Sequence, residues 1–84
     1  MNSIRITVEC FGASQRWCGA ESLQLDLNES ADAGQALAAL AQRFPDFAAR
    51  RASVALAMGD AVIPADRRLR DGDRLALIPP VSGG

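Results

Sequence analysis

From Ser3 to Phe11 the chain alternates between apolar and polar residues. Ile4, Ile6, Val8 and Cys10 share one face, while Arg5, Thr7 and Glu9 share the other. A period of two marks a half-buried strand. Gly12 to Gly19 breaks the pattern and reads as a loop. Alternation resumes with Leu23, Leu25 and Leu27 against Gln24 and Asp26. The two runs predict a hairpin with a loop of about eight residues, longer than the tight two-residue type.

A helical period follows. Leu37, Leu40, Ala41 and Phe44 form one apolar stripe, and Ser30 or Asp32 supplies the cap. Pro45 ends the helix, because proline disfavours helical backbone in the residue before it. Arg43 lies in the last turn, where the helix dipole favours a cation. Val54, Leu56 and Met58 alternate with alanines and predict a third strand, buried on both faces or nearly so. Gly59-Asp60 is a turn, and Val62-Ile63 a short strand stopped by Pro64. Leu69 stands alone among charges as an anchor beneath a loop. Asp71-Gly72-Asp73 is a strong turn, and Arg74 to Ile78 is the last strand.

The order β-β-α-β-(β)-β suits an α+β fold, a mixed sheet covered on one face by one main helix. The first and last strands are expected to pair in parallel at its centre. This is the layout of the ubiquitin-like β-grasp. Residues 1–78 form that domain, and residues 79–84 form a flexible tail ending in Gly-Gly.

Composition narrows the chemistry. The chain has 84 residues, 49% of them hydrophobic, and a net charge of -1. One core is affordable at this length. No basic excess asks for nucleic acid or an anionic membrane, and no apolar run reaches a membrane span. There is no histidine, so imidazole catalysis and histidine metal ligation are excluded. All nine basic residues are arginine, which removes lysine chemistry from the side chains. Cys10 and Cys18 form no CxxC pair and have no partners at metal spacing. Neither a metal nor a bound cofactor is expected. A strand pattern opens the chain where a signal peptide would stand, so a reducing cytoplasm is the expected location.

The unusual feature is the end. At about 7% glycine usage, a terminal Gly-Gly arises by chance in roughly one chain in 200. Leu75-Ala76-Leu77-Ile78 runs straight into Pro79-Pro80. Proline lacks an N–H and fixes φ, so the sheet ladder must stop there. Two prolines also hold the chain extended. From Val81 to Gly84 such a chain reaches about 13–14 Å, enough to enter another protein's active site. Glycines pass narrow channels because they lack a Cβ. The Gly84 carboxylate becomes an acyl donor only after activation. This chain has no phosphate-binding glycine loop, histidine or lysine to activate it.

Asp71-Gly72-Asp73 followed by Leu75-Ala76-Leu77-Ile78-Pro79-Pro80-Val81-Ser82-Gly83-Gly84 resembles the ending of the molybdopterin synthase small-subunit family. That family of ubiquitin-like sulfur carriers commonly reads DGDEVAxxPPVSGG. The opening strand, the Phe11-Gly12-Ala13 loop entry and the single helix are similar too. The likeness is loose over the whole chain and close over the last 14 residues.

The resemblance implies a mechanism. A ubiquitin-activating-like adenylyltransferase uses ATP to adenylate Gly84, and a sulfurtransferase system supplies sulfur. The resulting thiocarboxylate enters the large subunit of molybdopterin synthase. There it delivers sulfur to a cyclic pyranopterin monophosphate, and two deliveries build a dithiolene. The small subunit is non-catalytic, since the catalytic side chains belong to the large one. Gly84 carries the sulfur, Gly83 is its steric companion, and Pro79, Pro80, Val81 and Ser82 line the entry channel. Sulfur carriers for thiamine or cysteine synthesis share the fold and the glycine pair, as do protein modifiers that form isopeptide bonds. Three departures from the family pattern, Arg74 after DGD, Gln15-Arg16-Trp17 after the first strand, and Gly59-Asp60, bear on partner contacts.

Outside the tail, Phe11 reads equally as an interface anchor or a core residue. Trp17 in its loop is a hot-spot candidate or a satellite of the core. Cys10 shares a buried face and is expected to be inert, whereas Cys18 is expected to be exposed. Ala76 and Ile78 point away from Leu75 and Leu77, a second apolar row suited to a partner surface. Arg50-Arg51 and Arg67-Arg68-Arg70 read as solvated surface or as contacts for acidic partners.

Overall fold

A computed structural model describes residues 2–80. Strand β1, Ser3–Cys10, pairs antiparallel with β2, Ser22–Asn28. Helix α2, Ala33–Arg43, is the main helix; the shorter α1, Ser14–Cys18, precedes it and α3, Pro45–Ala48, follows. A single 3₁₀ turn at Arg51–Ser53 leads to β3, Ala55–Met58, then β4, Ala61–Ile63, and β5, Arg74–Ile78. The sheet order is β2-β1-β5-β3-β4. β5 lies at its centre, parallel to β1 and antiparallel to β3. This is the β-grasp layout the residue pattern predicts.

The core lies between the helices and one sheet face. Ile6, Val8, Cys10, Leu75 and Leu77 from the two central strands meet Leu37 and Leu40 of α2 and Phe47 of α3. Asp32 caps α2: its side chain accepts from the Gln35 N–H at 2.9 Å, and the Gln35 side chain accepts from the Asp32 N–H at 2.9 Å. Of the two caps the sequence allows, Asp32 serves. Such a reciprocal pair satisfies two otherwise orphaned donors. α2 stops before Pro45, which instead begins α3, where a missing N–H is harmless. Leu69 is the buried anchor expected under its loop, and its N–H donates to the Ala31 carbonyl at 3.0 Å.

The Asp71-Gly72-Asp73 turn joins β5 to β1. Asp71 accepts from the Arg5 N–H at 2.7 Å and Asp73 from the Arg70 N–H at 2.7 Å. Gly72 has φ of +87°, a conformation glycine takes at little cost, and its N–H donates to the Arg5 carbonyl at 2.8 Å. This turn fixes the start of β5, and thereby the place where the strand ends.

Three expectations need correction. Residues 12–19 are not a plain loop, because Ser14–Cys18 form helix α1. Cys18 is buried, not exposed, because α1 turns it into the core. β3 is not buried on both faces: Leu56 is buried, Ala57 and Met58 are half-buried, and Ala55 is exposed. The helices cover only one side of the sheet, so alternation, not a continuous apolar run, sets the burial.

Candidate functional site

The site is built around the end of β5. At this end Leu77 is paired with Cys10 of β1 on one side and Leu56 of β3 on the other, and Ile78 with Ala55. The ladder stops at Ile78, where Pro79 and Pro80 follow. Pro79 is half-buried and Pro80 exposed. Val81, Ser82, Gly83 and Gly84, the expected channel and sulfur-bearing residues, lie outside the described residues.

The root of the tail is held by the joint between β1 and α1. Gly12 has φ of +53°, and a Cβ there would stand 3.4 Å from the Pro79 ring Cγ. The left-handed turn is what favours glycine here, and a side chain would touch the proline. The buried Ser14 hydroxyl donates to the Phe11 carbonyl at 2.6 Å, and the Ser14 N–H donates to the same oxygen at 3.1 Å. The two bonds satisfy a carbonyl just past the strand end, which the ladder does not reach. Sequence reading missed Gly12 and Ser14 as supports of the tail. The Gly-Ala-Ser string gave a turn signal, but not its contact with a residue 67 positions later.

Two surfaces flank the root. The first is the uncovered sheet face. Paired residues point to the same side, so Ala76 and Ile78 share this face with Ala55 and Ala57 of β3 and Val62 of β4. Val62 is 76% exposed and Ile78 38%. Ala76 is half-buried. Phe11, at the end of β1, is 48% exposed, so its core alternative is set aside. The apolar row gives way to charge across β1: Arg74 meets Glu9 at 3.2 Å, and Arg5 meets Asp26 at 2.8 Å. The Arg5 bond and charge hold the Asp26 carboxyl below its ordinary range. Arg74, a departure from the family pattern, therefore has its own partner within the sheet.

The second surface is a cleft of about 270 Å³ on the helical side. Arg16 and Trp17 of α1, Arg50, and the two prolines line it. Trp17 packs partly on the core, and the Arg50 guanidinium lies 5.5 Å from its ring centroid. A larger cleft of about 550 Å³, lined by Glu29, Arg67, Arg68, Leu69, Arg70 and Asp73, lies toward the opposite end of β5. It does not approach the tail root.

Beneath the site sit Cys10 and Cys18, both free thiols and both buried. Burial, with neighbouring Cys18 adding to it, pushes the Cys10 thiol up to about 12. Burial also raises Cys18. A thiol held neutral is a poor nucleophile. Among the described residues no group of three or more His, Cys, Asp or Glu is placed to hold a metal ion. No helix among them is long and apolar enough to cross a membrane.

Comparison with known proteins supplies the family. The ThiS family profile matches residues 8–84, nearly the whole length. The chain belongs to the ThiS family. A molybdopterin synthase sulfur carrier subunit from Arabidopsis thaliana is 29% identical over 83 residues, covering 99% of this chain and 86% of the relative. The crystal structure of SAMP1 from Haloferax volcanii superposes with a TM-score of 0.85 at 25% identity, covering 95% of this chain and 99% of that one. A chain from the complex of subunits 1 and 2 of the Helicobacter pylori molybdopterin-converting factor has a TM-score of 0.67 at 27% identity, covering 96% and 100%. The ubiquitin-like β-grasp of this ThiS-family chain is thus seen in its topology and in its structural neighbours.

Proposed function

We propose that this chain is the sulfur-carrier subunit of a molybdopterin synthase, with Gly84 as the carrying residue. The observation that carries the reading is the tail root. The central strand ends at a double proline whose first member lies beside Gly12, and the sequence then runs Val-Ser-Gly-Gly. Family membership and the named relatives from Arabidopsis thaliana and Helicobacter pylori support it.

A partner adenylyltransferase joins the Gly84 carboxylate to AMP and releases pyrophosphate from ATP. A sulfur nucleophile at the oxidation level of hydrosulfide attacks the acyl carbon, and AMP leaves with the electron pair of the broken C–O bond. The product is a thiocarboxylate. Inside the large subunit its sulfur bonds to a side-chain carbon of a cyclic pyranopterin monophosphate as a carbon–oxygen bond there breaks and the oxygen leaves with the electron pair. Water then cleaves the acyl C–S bond, which leaves the sulfur on the pterin and returns the Gly84 carboxylate. Gly83 passes the narrowest part of the channel, and Pro79, Pro80, Val81 and Ser82 occupy its entry. Phe11, Ala76 and Ile78 form the apolar contact with the large subunit. Catalytic side chains are the large subunit's. The two reduced thiols fit a cytoplasmic setting.

A second reading, a ubiquitin-like protein modifier, draws on the likeness to SAMP1, named elsewhere a small archaeal modifier protein. There the activated acyl group is transferred to an amine of a target protein instead of to sulfur. Addition of one residue after Gly84 separates the active-tail readings from an idle tail. The extended chain should fold normally yet fail to restore molybdenum-cofactor synthesis in cells lacking their own carrier. Full restoration by the extended chain would refute the proposal. Target-protein conjugates that vanish when Gly84 is deleted, in cells whose cofactor synthesis is unchanged, would establish the modifier instead.

A further inference from the structure

The cleft beside the double proline has a charge pattern that the tail chemistry leaves unused. Its two charged lining residues, Arg16 and Arg50, are both cationic, and no carboxylate lines it. Neither guanidinium forms an ion pair among the described residues. The chain as a whole carries a net charge of -1, so this is a local concentration against the global sign. Arg50 is positioned at two points, its side chain by Trp17 and its backbone by Ser53. Its guanidinium lies over Trp17 at 5.5 Å, and the Ser53 hydroxyl donates to its carbonyl at 2.9 Å. An arginine ordered by stacking loses less entropy when its N–H groups engage a carboxylate.

Size decides what kind of anion enters. Small-molecule pockets run from about 300 to 1,000 Å³ and enclose their ligands. This cleft, at about 270 Å³, is open. It fits one or two side chains better than a nucleotide or a pterin. Position decides whose side chains. Pro79 and Pro80 form one wall, so a protein that takes residues 81–84 into its active site must lie across or beside this opening.

We propose that the Arg16–Trp17–Arg50 cleft is a docking site for an acidic side chain on the rim of the large subunit. The carboxylate sits between the two guanidinium groups, and its aliphatic stem lies on Trp17 and the prolines. The inference rests on the proposed role in molybdopterin synthase. It adds a polar, register-setting contact on the helical side of the tail, opposite the apolar sheet face. Such contacts govern encounter rate and partner choice more than raw affinity.

Trp17 is the chain's single tryptophan, so 5-fluorotryptophan gives one ¹⁹F resonance located in the cleft. The full-length chain is titrated with its large subunit at low and high salt, and calorimetry gives the affinity. Binding should move the Trp17 resonance. R16Q/R50Q should weaken binding about tenfold at low salt, and the gap should narrow as salt rises. R67Q/R68Q, at the other end of the molecule, should bind within about twofold of the unaltered chain. Both arginine pairs are exposed, and circular dichroism verifies that each variant is folded. A complex unaffected by R16Q/R50Q, or one in which the Trp17 resonance stays fixed, would overturn the docking site while leaving the carrier role standing. Failure of the unaltered chain to bind its large subunit at all would overturn both.

Discussion

Gly12 and Pro79 are 67 positions apart in sequence, yet a Cβ on the one would stand 3.4 Å from the ring of the other. The turn after β1 therefore lies beside the point where the tail leaves β5. The parallel pairing of those strands brings the two together, with Cys10 opposite Leu77 just before them. The tail therefore starts from a strand paired on both sides, beside a turn from another strand.

Gly12→Ala tests that coupling. Its φ of +53° is unfavourable for a residue with a Cβ, at a cost of about 1–2 kcal/mol. The added methyl would also touch the proline ring, at 3.4 Å. Urea denaturation should show a loss of that order while the sheet remains intact. Sulfur delivery, compared at equal folded protein, should slow because the tail departs at a different angle. Unchanged delivery would mean the joint is structural only.

Ile78→Asp tests the uncovered sheet face. Ile78 is 38% exposed and outside the core cluster, so the substitution should cost about 1 kcal/mol or less. Facing an apolar partner, the same carboxylate would be buried without a mate, at several kcal/mol. Binding to the large subunit should fall by about a hundredfold or more while the melting temperature shifts by a few degrees. Equal affinity would place the partner elsewhere.

The cysteines give a pH dependence with a definite sign. Cys10 is raised to about 12 in the folded chain, against about 8.5 when unfolded. The unfolded chain therefore loses this proton first as pH rises. The stability due to the neutral buried thiol is fully present below about pH 8.5 and is lost as pH climbs toward 12. Denaturation midpoints should be level from pH 6 to 8 and decline by pH 10, less steeply in Cys10→Ala than in the unaltered chain when each is normalised to its pH 7 value. Iodoacetamide at pH 8 should label neither thiol until denaturant is added.

Much of the fold is legible along the chain because its strands bury one face each. Ile4, Ile6 and Val8 alternate cleanly, and the parallel partner strand announces itself through Leu75, Leu77 and the proline stop. Asp32 and Gln35 stand at capping-box spacing, so the helix start is written locally. What escapes the sequence is whatever depends on distant neighbours. α1 is one short turn with no apolar period, and its burial of Cys18 becomes clear only when β1 and α3 lie beside it. The alanines of β3 imply burial on both faces, but their exposure is decided by which side the helices take. The Arg50–Trp17 stack joins segments that no local pattern connects. The tail motif is legible for the opposite reason: its Pro-Pro and Gly-Gly act through backbone restriction, which residue identity alone specifies.

The central claim is that sulfur travels on the acyl group of Gly84. Its most direct test is intact-mass and fragment-ion analysis of the chain produced with its native adenylyltransferase and sulfur donor. The account predicts replacement of one oxygen by sulfur, mapped to Gly84, and its reversal when the large subunit and pterin precursor are added. Sulfur mapped to Cys10 or Cys18, with the Gly84 carboxylate unaltered in a preparation active in sulfur delivery, would contradict it.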